Sequence, residues 1–321
     1  MKQMQTNLLG KTDLRVSRLG LGTAEIGFTY GLGSPALPSE DEAVTLLNAT
    51  IDTGINFFDT ANYYGFSEER IGRSGILKNP EVMVCTKCAQ FLEKGEYFEP
   101  NELERKIREQ VESSLQHLGI TTLTLLLLHG PSAAQMKDGV LLSVIEKLKI
   151  EGKIRFWGVS TRGVEAPLAA IDAGADVLEV AFNIADRRMW PVFVAAQKKG
   201  VGIINRSVYL KGVFAGKAKH LPDVLAPLKE CVATADSIAN ELQIPLAELA
   251  LRYTLSEPTI VVSLVGTTNL SHLKDAVDAL ARGPLSDDVI QKLRSLALSD
   301  PEQVDPARWP QSAGGHGQLK K

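Results

Sequence analysis

The stretch INFFDTANYYGFSEERIG, residues 55–72, begins as an apolar run that stops at an acid, Asp59. Two tyrosines, Tyr63 and Tyr64, follow shortly after it. Short apolar runs without proline are typical of strands that are buried on both faces. A charge at the end of such a run costs free energy unless a partner lies nearby. The stretch therefore predicts a buried strand that leads into a functional site.

The same pattern recurs along the chain and decides the predicted fold. Eight apolar runs match it: Leu19–Thr23, Ile55–Asp59, Val82–Lys87, Leu123–His129, Arg155–Ser160, Val177–Phe182, Val201–Arg206 and Ile260–Gly266. Amphipathic helical patterns lie between them: Asp41–Thr53, Glu102–Leu118, Val140–Glu151, Val164–Ala173, Met189–Lys199, Leu246–Leu255 and Leu270–Ala281. Eight alternating strand and helix units favour an α/β fold with a closed (β/α)8 TIM barrel.

An open dinucleotide-binding sheet is the weaker alternative for this pattern. It calls for a G-x-G-x-x-G motif directly after the first strand, with a helix beginning there. GLGTAEIG, residues 20–27, spaces its glycines differently, and a long loop follows it. We therefore predict one domain over residues 1–321, with the barrel at about 17–298.

Two additions flank the predicted barrel. TNLLGKTDLRVSRLGLGT, residues 6–23, alternates apolar and polar residues about a Gly-Lys-Thr-Asp turn, which predicts an N-terminal β-hairpin that closes one barrel end. Residues 299–321 are rich in proline, glycine and polar residues, so we predict an irregular tail. It is long enough to reach over the other end.

Composition narrows the class of partner. The chain has 35 basic and 38 acidic residues, a net charge of −3 and no run of five like charges. This pattern argues against nucleic acid and anionic membranes as partners and favours a small molecule. No apolar segment has the length of a signal peptide core or a membrane span, so we expect a cytoplasmic protein. The oligomeric state is left open.

A C-x-x-C pair, Cys85 and Cys88, lies within the predicted strand VMVCTKCA. Residues three apart in a strand point to opposite faces, so these two sulfurs are not expected to form a disulfide or share a metal. We predict no metal site in the chain.

Polar residues end several predicted strands, which is where a barrel carries its chemistry. Asp59, Lys87 and His129 each end an apolar run, and Tyr64 follows Asp59 closely. We expect Asp59 to hold the Lys87 ammonium beside Tyr64, and that charge to lower the pKa of the phenol so that it exchanges a proton near neutrality. His129 can donate a hydrogen bond to a carbonyl oxygen that faces the same phenol.

With these residues in place, the sequence resembles the aldo-keto reductase family from its N-terminal hairpin to about Leu298. Six segments carry the resemblance: FFDTANYYGFSEERIG with Asp59 and Tyr64, VMVCTKC with Lys87, LTLLLLHGP with His129, RFWGVS with Ser160, GVFAGK at 212–217 and LVGTTN at 264–269. The resemblance implies a barrel that binds NADPH across one end and reduces aldehydes or ketones by direct hydride transfer.

The resemblance also assigns the catalytic roles. Tyr64 is implied to be the general acid in reduction, Lys87 and Asp59 the pair that tunes it, and His129 the donor that orients the carbonyl group. Tyr63, one position earlier, is expected to pack or to line the substrate site. Aromatic residues of the neighbouring loops are further candidates for that wall: Phe28, Tyr30, Phe91 and Trp190.

Several positions that would hold the nicotinamide depart from the family pattern. Ser160 stands where the family has the first residue of a Ser-Asn pair, but Thr161 replaces the asparagine. Glu179 stands in the place of a glutamine, and Arg206 in the place of an aromatic that stacks on the ring in many members. An arginine charge disfavours the cationic oxidised ring, which predicts a bias towards carbonyl reduction.

The phosphate positions are implied by two later segments. The loop from Ser207 to Gly212 is expected to pass the pyrophosphate, with Lys211 or Lys217 either as charge partners or as solvated lysines. The helix after strand eight offers free N–H groups to a 2′-phosphate, but it lacks the basic pair that is common in NADPH-specific members, so NADH use is left open. The complete set of expected cofactor contacts is Thr23, Ser160, Thr161, Glu179, Arg206, Ser207, Val208, Leu210, Gly212, Gly266, Thr267, Thr268, His272 and Asp275.

We therefore predict an oxidoreductase that uses NADPH, with NADH as an open alternative, on an aldehyde, ketone or sugar carbonyl. One alternative is a nicotinamide-binding regulatory subunit that senses redox state without metabolic turnover. A second is a barrel aldolase or isomerase in which Lys87 forms a Schiff base. A carboxylate beside Lys87 would keep it protonated and disfavours the second alternative.

Overall fold

The predicted barrel is present and closed. The computed structural model describes residues 4–32 and 36–310. Its strands are β1 (Thr6–Leu8), β2 (Arg15–Ser17), β3 (Leu19–Gly22), β4 (Phe57–Asp59), β5 (Met83–Cys88), β6 (Leu123–His129), β7 (Ile154–Ser160), β8 (Val177–Ala181), β9 (Gly202–Arg206) and β10 (Ile260–Gly266). Strands β3 to β10 pair in parallel in chain order, and β10 pairs back onto β3. The carboxyl ends of all eight strands therefore meet at one end of the barrel, here called the mouth.

The N-terminal hairpin closes the opposite end, as predicted. Strands β1 and β2 pair in antiparallel register, and Leu9 N donates to Leu14 O across the turn at 2.9 Å. The apolar side chains of the hairpin pack against inward-facing residues of the barrel strands. Gly10 has φ +62°, and a Cβ there would lie 2.2 Å from Gly202 N, so only glycine fits this approach to β9.

Helices surround the barrel and cover its outer face. They are α1 (Glu40–Asp52), α2 (Ser67–Ser74), α3 (Pro100–Leu118), α4 (Ala133–Lys137), α5 (Val140–Ile150), α6 (Glu165–Asp172), α7 (Trp190–Lys199), α8 (Ala226–Glu241), α9 (Leu246–Leu255), α10 (Leu270–Ala281), α11 (Asp287–Arg294) and α12 (Pro301–Val304). All seven predicted helices are confirmed, whereas α2, α4, α8, α11 and α12 were missed. Within the described ranges, every helix is too short or too polar to cross a bilayer.

The tail is less irregular than predicted where it is described. Residues 301–304 form the short helix α12, in which Val304 is buried. Trp309 is buried as well, and its Nε1 donates to Gln303 O at 3.0 Å. Gln303 Nε2 donates in turn to Val224 O at 3.1 Å, which ties the tail to the segment before α8. Residues 311–321 of the predicted tail lie outside the described part of the chain.

Candidate active site

Three neighbouring strands bring the predicted catalytic side chains to the mouth. Asp59 ends β4, Lys87 lies next to the last residue of β5, and His129 ends β6. Tyr64 belongs to the loop that leaves β4, so it lies above the same sector of the barrel. Because parallel strands place their carboxyl ends together, four residues spread over 71 positions of sequence share one site.

Lys87 is the buried centre of this site. Its side chain is inaccessible to solvent, and Nζ donates to Asp59 Oδ1 at 2.6 Å, Asp59 Oδ2 at 2.7 Å and Thr60 O at 3.0 Å. Glu179 Oε2 lies 3.3 Å from the same nitrogen. Burial alone would lower the pKa of Lys87, but the charges of Asp59 and Glu179 outweigh it and raise that pKa well above its ordinary value. Lys87 is therefore a permanent cation.

Close backbone packing fixes the loop that carries Tyr64. Tyr64 N donates to Ala61 O at 2.8 Å, and Phe66 N donates to Gly27 O at 3.1 Å. A Cβ at Gly27 would lie 1.7 Å from Tyr64 O, so that position requires glycine. The Tyr64 ring centroid lies 5.0 Å from Lys87 Nζ and 6.2 Å from the ring centroid of His129.

The protonation of Tyr64 differs from the prediction. The Lys87 ammonium acts in the expected direction, towards a lower pKa, but burial is the larger effect and raises the pKa of Tyr64 well above its ordinary value. The charges of Asp59 and Glu179 add to the rise. The expectation of a phenol pKa lowered towards neutrality is therefore wrong for the protein without ligands. Tyr64 is fully protonated at neutral pH, which suits a proton donor.

His129 is held in its neutral form. Burial, followed by the charge of Lys87, lowers its pKa from 6.5 to about 4. Its Nδ1 is buried and has no hydrogen-bond partner in the described part of the chain. A neutral imidazole carries one N–H donor and one acceptor, so His129 can offer a hydrogen bond to an uncharged oxygen.

The residues predicted to contact the nicotinamide lie beside Asp59, Tyr64, Lys87 and His129. Ser160 Oγ donates to Glu179 Oε1 at 2.8 Å, and Arg206 Nη2 donates to Thr161 O at 3.0 Å. Two buried atoms of this group, Thr161 Oγ1 and Glu179 Oε2, accept or donate no hydrogen bond within the described residues. A hydroxyl donor and a carboxylate acceptor match the two ends of a carboxamide, so these residues fit the nicotinamide group.

The loop after β9 has the backbone of an anion-binding turn. Ser207, Leu210, Lys211 and Gly212 all have positive φ angles, between 46° and 91°. Consecutive left-handed residues direct their N–H groups into concave turns, which suits a phosphate. Val208 and Leu210 are also predicted contacts in this loop. Their side chains are buried in the core, so only their backbone groups could contact a cofactor.

Lys211 and Lys217 have different roles in this loop. Lys217 Nζ donates to Leu32 O at 3.0 Å and so ties down the loop after β3. Lys211 Nζ lies 5.7 Å from the ring centroid of Tyr30. Burial lowers the pKa of Lys211, and the charge of Arg162 lowers it further. Lys211 is the better candidate for a bound anion because, within residues 4–32 and 36–310, its ammonium forms no salt bridge.

The third group of predicted contacts stands at the start of α10. Asn269 caps this helix by accepting from Ser271 N at 2.8 Å, and Thr267 Oγ1 lies 3.2 Å from His272 Nδ1. The remaining positions of the group are exposed: Gly266, Thr268 and Asp275. The structure thus collects these residues at a helix N-terminus, which is favourable for an anion.

Thr23, the first predicted cofactor contact, has a structural role in the described protein. It is fully buried, and its Oγ1 donates to Asp59 O at 2.7 Å while accepting from Ser67 Oγ at 2.7 Å. The hydroxyl therefore braces the end of β4 against α2.

The five aromatic candidates for the substrate wall separate into groups. Phe28 packs against Tyr64 and Tyr30, with ring centroids 5.8 Å and 5.6 Å apart. Tyr63 and Phe91 line a cavity of about 330 Å³ between the loops after β4 and β5, which Lys87 also lines. Trp190 lies beside two arginines instead, Arg187 before α7 and Arg294 of α11, at 5.8 Å and 5.7 Å from its ring centroid. Phe28 therefore packs on Tyr64 directly, and Tyr30 packs on Phe28.

Sequence reasoning missed a salt-bridge clamp across the mouth. Arg162, in the loop after β7, bonds Glu93 Oε1 through Nε at 2.7 Å and Asp305 Oδ1 through Nη1 at 2.5 Å. Burial would raise the pKa of Glu93, but Arg162 and then His129 lower it to about 2. The tail residue Asp305 carries no sequence pattern that marks it. Arg162 was within reach of prediction because it directly follows the strand-end pair Ser160 and Thr161.

The cysteines lie as the sequence predicts. Cys85 faces the barrel interior and Cys88 faces the helices, and both are free and buried. The ligand atoms of Cys85, Asp59 and Glu179 lie within 4.8 Å of one another. The Lys87 ammonium contacts both carboxylates and offsets part of their negative charge.

Comparison with known proteins identifies the family of this chain. The model of the Aldo/keto reductase family matches residues 18–298. L-galactose dehydrogenase of Arabidopsis thaliana is 27% identical and covers 87% of this chain and 89% of its own, and NADH-specific methylglyoxal reductase of Escherichia coli is 26% identical with 85% and 92% covered. The holo form of aldo-keto reductase AKR11C1 from Bacillus halodurans superposes with a TM-score of 0.76 at 25% identity, over 93% of this chain and 98% of that chain. The chain belongs to the aldo/keto reductase family of oxidoreductases, which use nicotinamide cofactors.

Proposed function

We propose that this protein reduces the carbonyl group of an aldehyde, ketone or sugar, with Tyr64 as the general acid. The observation that carries the proposal is the buried cluster at the mouth, in which Lys87 bonds Asp59 and faces the ring of Tyr64, while the His129 ring lies edge-on to Tyr64 with its centroid 6.2 Å away. Such an arrangement brings together a proton donor in Tyr64, a neutral hydrogen-bond donor in His129 and a fixed positive charge on Lys87.

Each side chain has a defined part in the proposed reaction. When bound, reduced nicotinamide would supply the hydride that the carbonyl carbon accepts. Negative charge then develops on the carbonyl oxygen, where Tyr64 donates its proton and His129 donates a hydrogen bond. The Lys87 ammonium stabilises the phenolate that Tyr64 becomes, and Asp59 holds the ammonium in position.

NADPH is the proposed cofactor, with NADH as a second one. The carboxamide would contact Thr161 Oγ1 and the Glu179 carboxylate, and the phosphates would lie along the left-handed turn at Lys211 and the start of α10. In the first turn of α10 the basic residue is His272 rather than a lysine or arginine. A relative of similar identity is an NADH-specific reductase, which supports the use of both cofactors.

Two relatives suggest the class of substrate. One is named for the sugar L-galactose and another for methylglyoxal, a small ketoaldehyde. Phe28 and Tyr30 give the mouth an aromatic wall next to Tyr64, which suits the apolar face of a sugar or of a small carbonyl compound. We therefore propose a small, polar carbonyl compound as the substrate.

The Schiff-base alternative has little support in this geometry. A lysine nucleophile must be neutral, whereas the pKa of Lys87 is raised and its ammonium protons are donated to Asp59 and Thr60. The regulatory alternative lacks a specific observation in its favour, because the catalytic cluster is complete.

Replacement of Tyr64 by phenylalanine tests the proposal. Purified protein is titrated with NADPH and NADH by tryptophan fluorescence, and a panel of carbonyl compounds is then screened for oxidation of the reduced cofactor. We expect Tyr64→Phe to lower kcat about a hundredfold or more with unchanged cofactor affinity, because only the proton donor is lost.

Tyr63→Phe is the matched control, since Tyr63 precedes Tyr64 in the same loop but its ring faces Lys94 rather than Lys87. Its turnover is expected to stay within about threefold of the unmodified protein. Turnover that survives in Tyr64→Phe would refute the assigned role. Tight cofactor binding without oxidation by any carbonyl would favour the regulatory alternative.

A further inference from the structure

The catalytic lysine faces a second carboxylate that is distinct from Asp59. Glu179 lies on β8, opposite Ser160 in the β7–β8 register, and its side chain is 2% exposed. Lys87 has three ammonium protons, which the two oxygens of Asp59 and the carbonyl of Thr60 can accept. The 3.3 Å contact between Nζ and Glu179 Oε2 is therefore a contact of charges rather than a further hydrogen bond.

Arg206 is the counterpart of this second carboxylate. Its Nε lies 3.9 Å from Glu179 Oε1, and its Nη atoms are held by Thr161 O and Ser207 Oγ at 3.0 Å and 3.3 Å. Two acids, Asp59 and Glu179, thus face two bases in the cluster. Removal of either Glu179 or Arg206 would leave an unbalanced charge in a largely desolvated place, which is costly.

We propose that Glu179 and Arg206 form a positioning pair that balances the charge around Lys87 and sets the relative affinity for oxidised and reduced nicotinamide. The inference rests on the proposed function. A nicotinamide ring is neutral when reduced and cationic when oxidised, so a nearby carboxylate favours the oxidised form and a nearby guanidinium favours the reduced form. In this protein the two charges oppose each other, and the bias expected from Arg206 alone is weakened.

The ratio of two dissociation constants measures this effect. Kd is determined for NADP⁺ and for NADPH in the unmodified protein, in Glu179→Gln and in Arg206→Gln. We expect Glu179→Gln to raise the Kd ratio of oxidised to reduced cofactor by about tenfold, and Arg206→Gln to lower it by a similar factor. Glu146→Gln, which changes an exposed glutamate of α5, is the charge-matched control and is expected to leave the ratio unchanged.

A thermal unfolding cycle on the protein without cofactor tests the pairing itself. Each single variant is expected to lower Tm, while Glu179→Gln with Arg206→Gln loses less than the sum of the two, because no unpaired charge remains. The proposal is overturned if neither variant moves the Kd ratio, if both move it in the same direction, or if the Tm losses are additive.

Two further outcomes keep the test decisive. If Glu179→Gln does not fold, Arg206→Gln alone must lower the Kd ratio while Arg206→Lys, which conserves the charge, preserves it. If the unmodified protein binds neither cofactor, the proposed function fails, and with it the effect on the Kd ratio. The unfolding cycle still reports on the pair. Binding and turnover with an unchanged Kd ratio would overturn this inference alone.

Discussion

The neutral state of His129 predicts how the stability of the protein depends on pH. Its pKa is about 4 in the folded protein and 6.5 for an ordinary histidine, which we take for the unfolded chain. The unfolded chain therefore takes up a proton on this side chain at a higher pH than the folded protein does. Stability contributed by His129 is complete above pH 6.5 and is lost as the pH falls towards 4.

The size of this effect follows from the gap between the two pKa values. Each pKa unit corresponds to about 1.4 kcal/mol, so the loss is at most about 3 kcal/mol across this window. The groups that act on His129 come from several elements: Lys87 and Arg206 oppose its protonation, and Glu93 and Glu179 favour it. Glu93 itself has a pKa of about 2, so its own contribution is lost mainly at lower pH.

Urea unfolding of a variant measures the contribution directly. The free energy of unfolding is followed between pH 6.5 and pH 4 for the unmodified protein and for His129→Gln, which keeps a polar side chain but does not titrate. We expect the variant to lose up to about 3 kcal/mol less than the unmodified protein over this range. His220→Gln, at an exposed histidine, is the control and should follow the unmodified protein. Parallel curves for His129→Gln and the unmodified protein would refute the conclusion that burial keeps this histidine neutral.

Four further substitutions test the packing of the mouth. Asp59→Asn is expected to lower the free energy of unfolding in urea by about 2 kcal/mol, because Lys87 keeps Glu179 as a second carboxylate. Lys87→Met is expected to lower it by about 3–5 kcal/mol, because Asp59 and Glu179 then face each other without a cation between them. A larger loss for Asp59→Asn than for Lys87→Met would contradict this reasoning. Gly27→Ala is expected to displace the Tyr64 loop and lower kcat at least about tenfold while the protein stays folded, and unchanged kcat would show that the loop adapts. Asp305→Asn breaks the salt bridge to the loop after β7, so hydrogen exchange of residues 301–310 should become faster; unchanged exchange would mean that apolar packing alone holds the tail.

The barrel could be predicted because each strand carries its own local pattern. A strand buried on both faces must be apolar along its length, and eight such runs were located to within two residues at each end. Helices were harder to predict, because their apolar residues are separated by polar ones and some of them are small. Helix α8 buries Leu228, Cys231, Val232, Ala235, Ile238 and Ala239, a spacing of three and four that contains two alanines and was overlooked.

The protonation of Tyr64 shows what local sequence cannot supply. The sequence indicates which charge lies near the phenol, and the sign of the Lys87 effect was right. It does not indicate how completely the loops around Phe28 and Tyr64 remove water from the ring, and burial has the larger effect on its pKa. The balance between desolvation and a neighbouring charge depends on three-dimensional packing, so only the structure could decide the direction.

Glu179 marks the limit of prediction from strand ends. Strand-end residues were expected to gather around one site, and they do so, but the sequence does not say which of them pair. Lys87 and Glu179 lie on β5 and β8, which are not neighbours in the barrel, and their contact crosses its interior. Glu179, which stands where the family has a cofactor-binding glutamine, therefore also contacts Lys87. Since one carboxylate contacts both Lys87 and Ser160 of the group that fits the nicotinamide, we expect this single side chain to couple the proposed proton transfer to the charge of the cofactor.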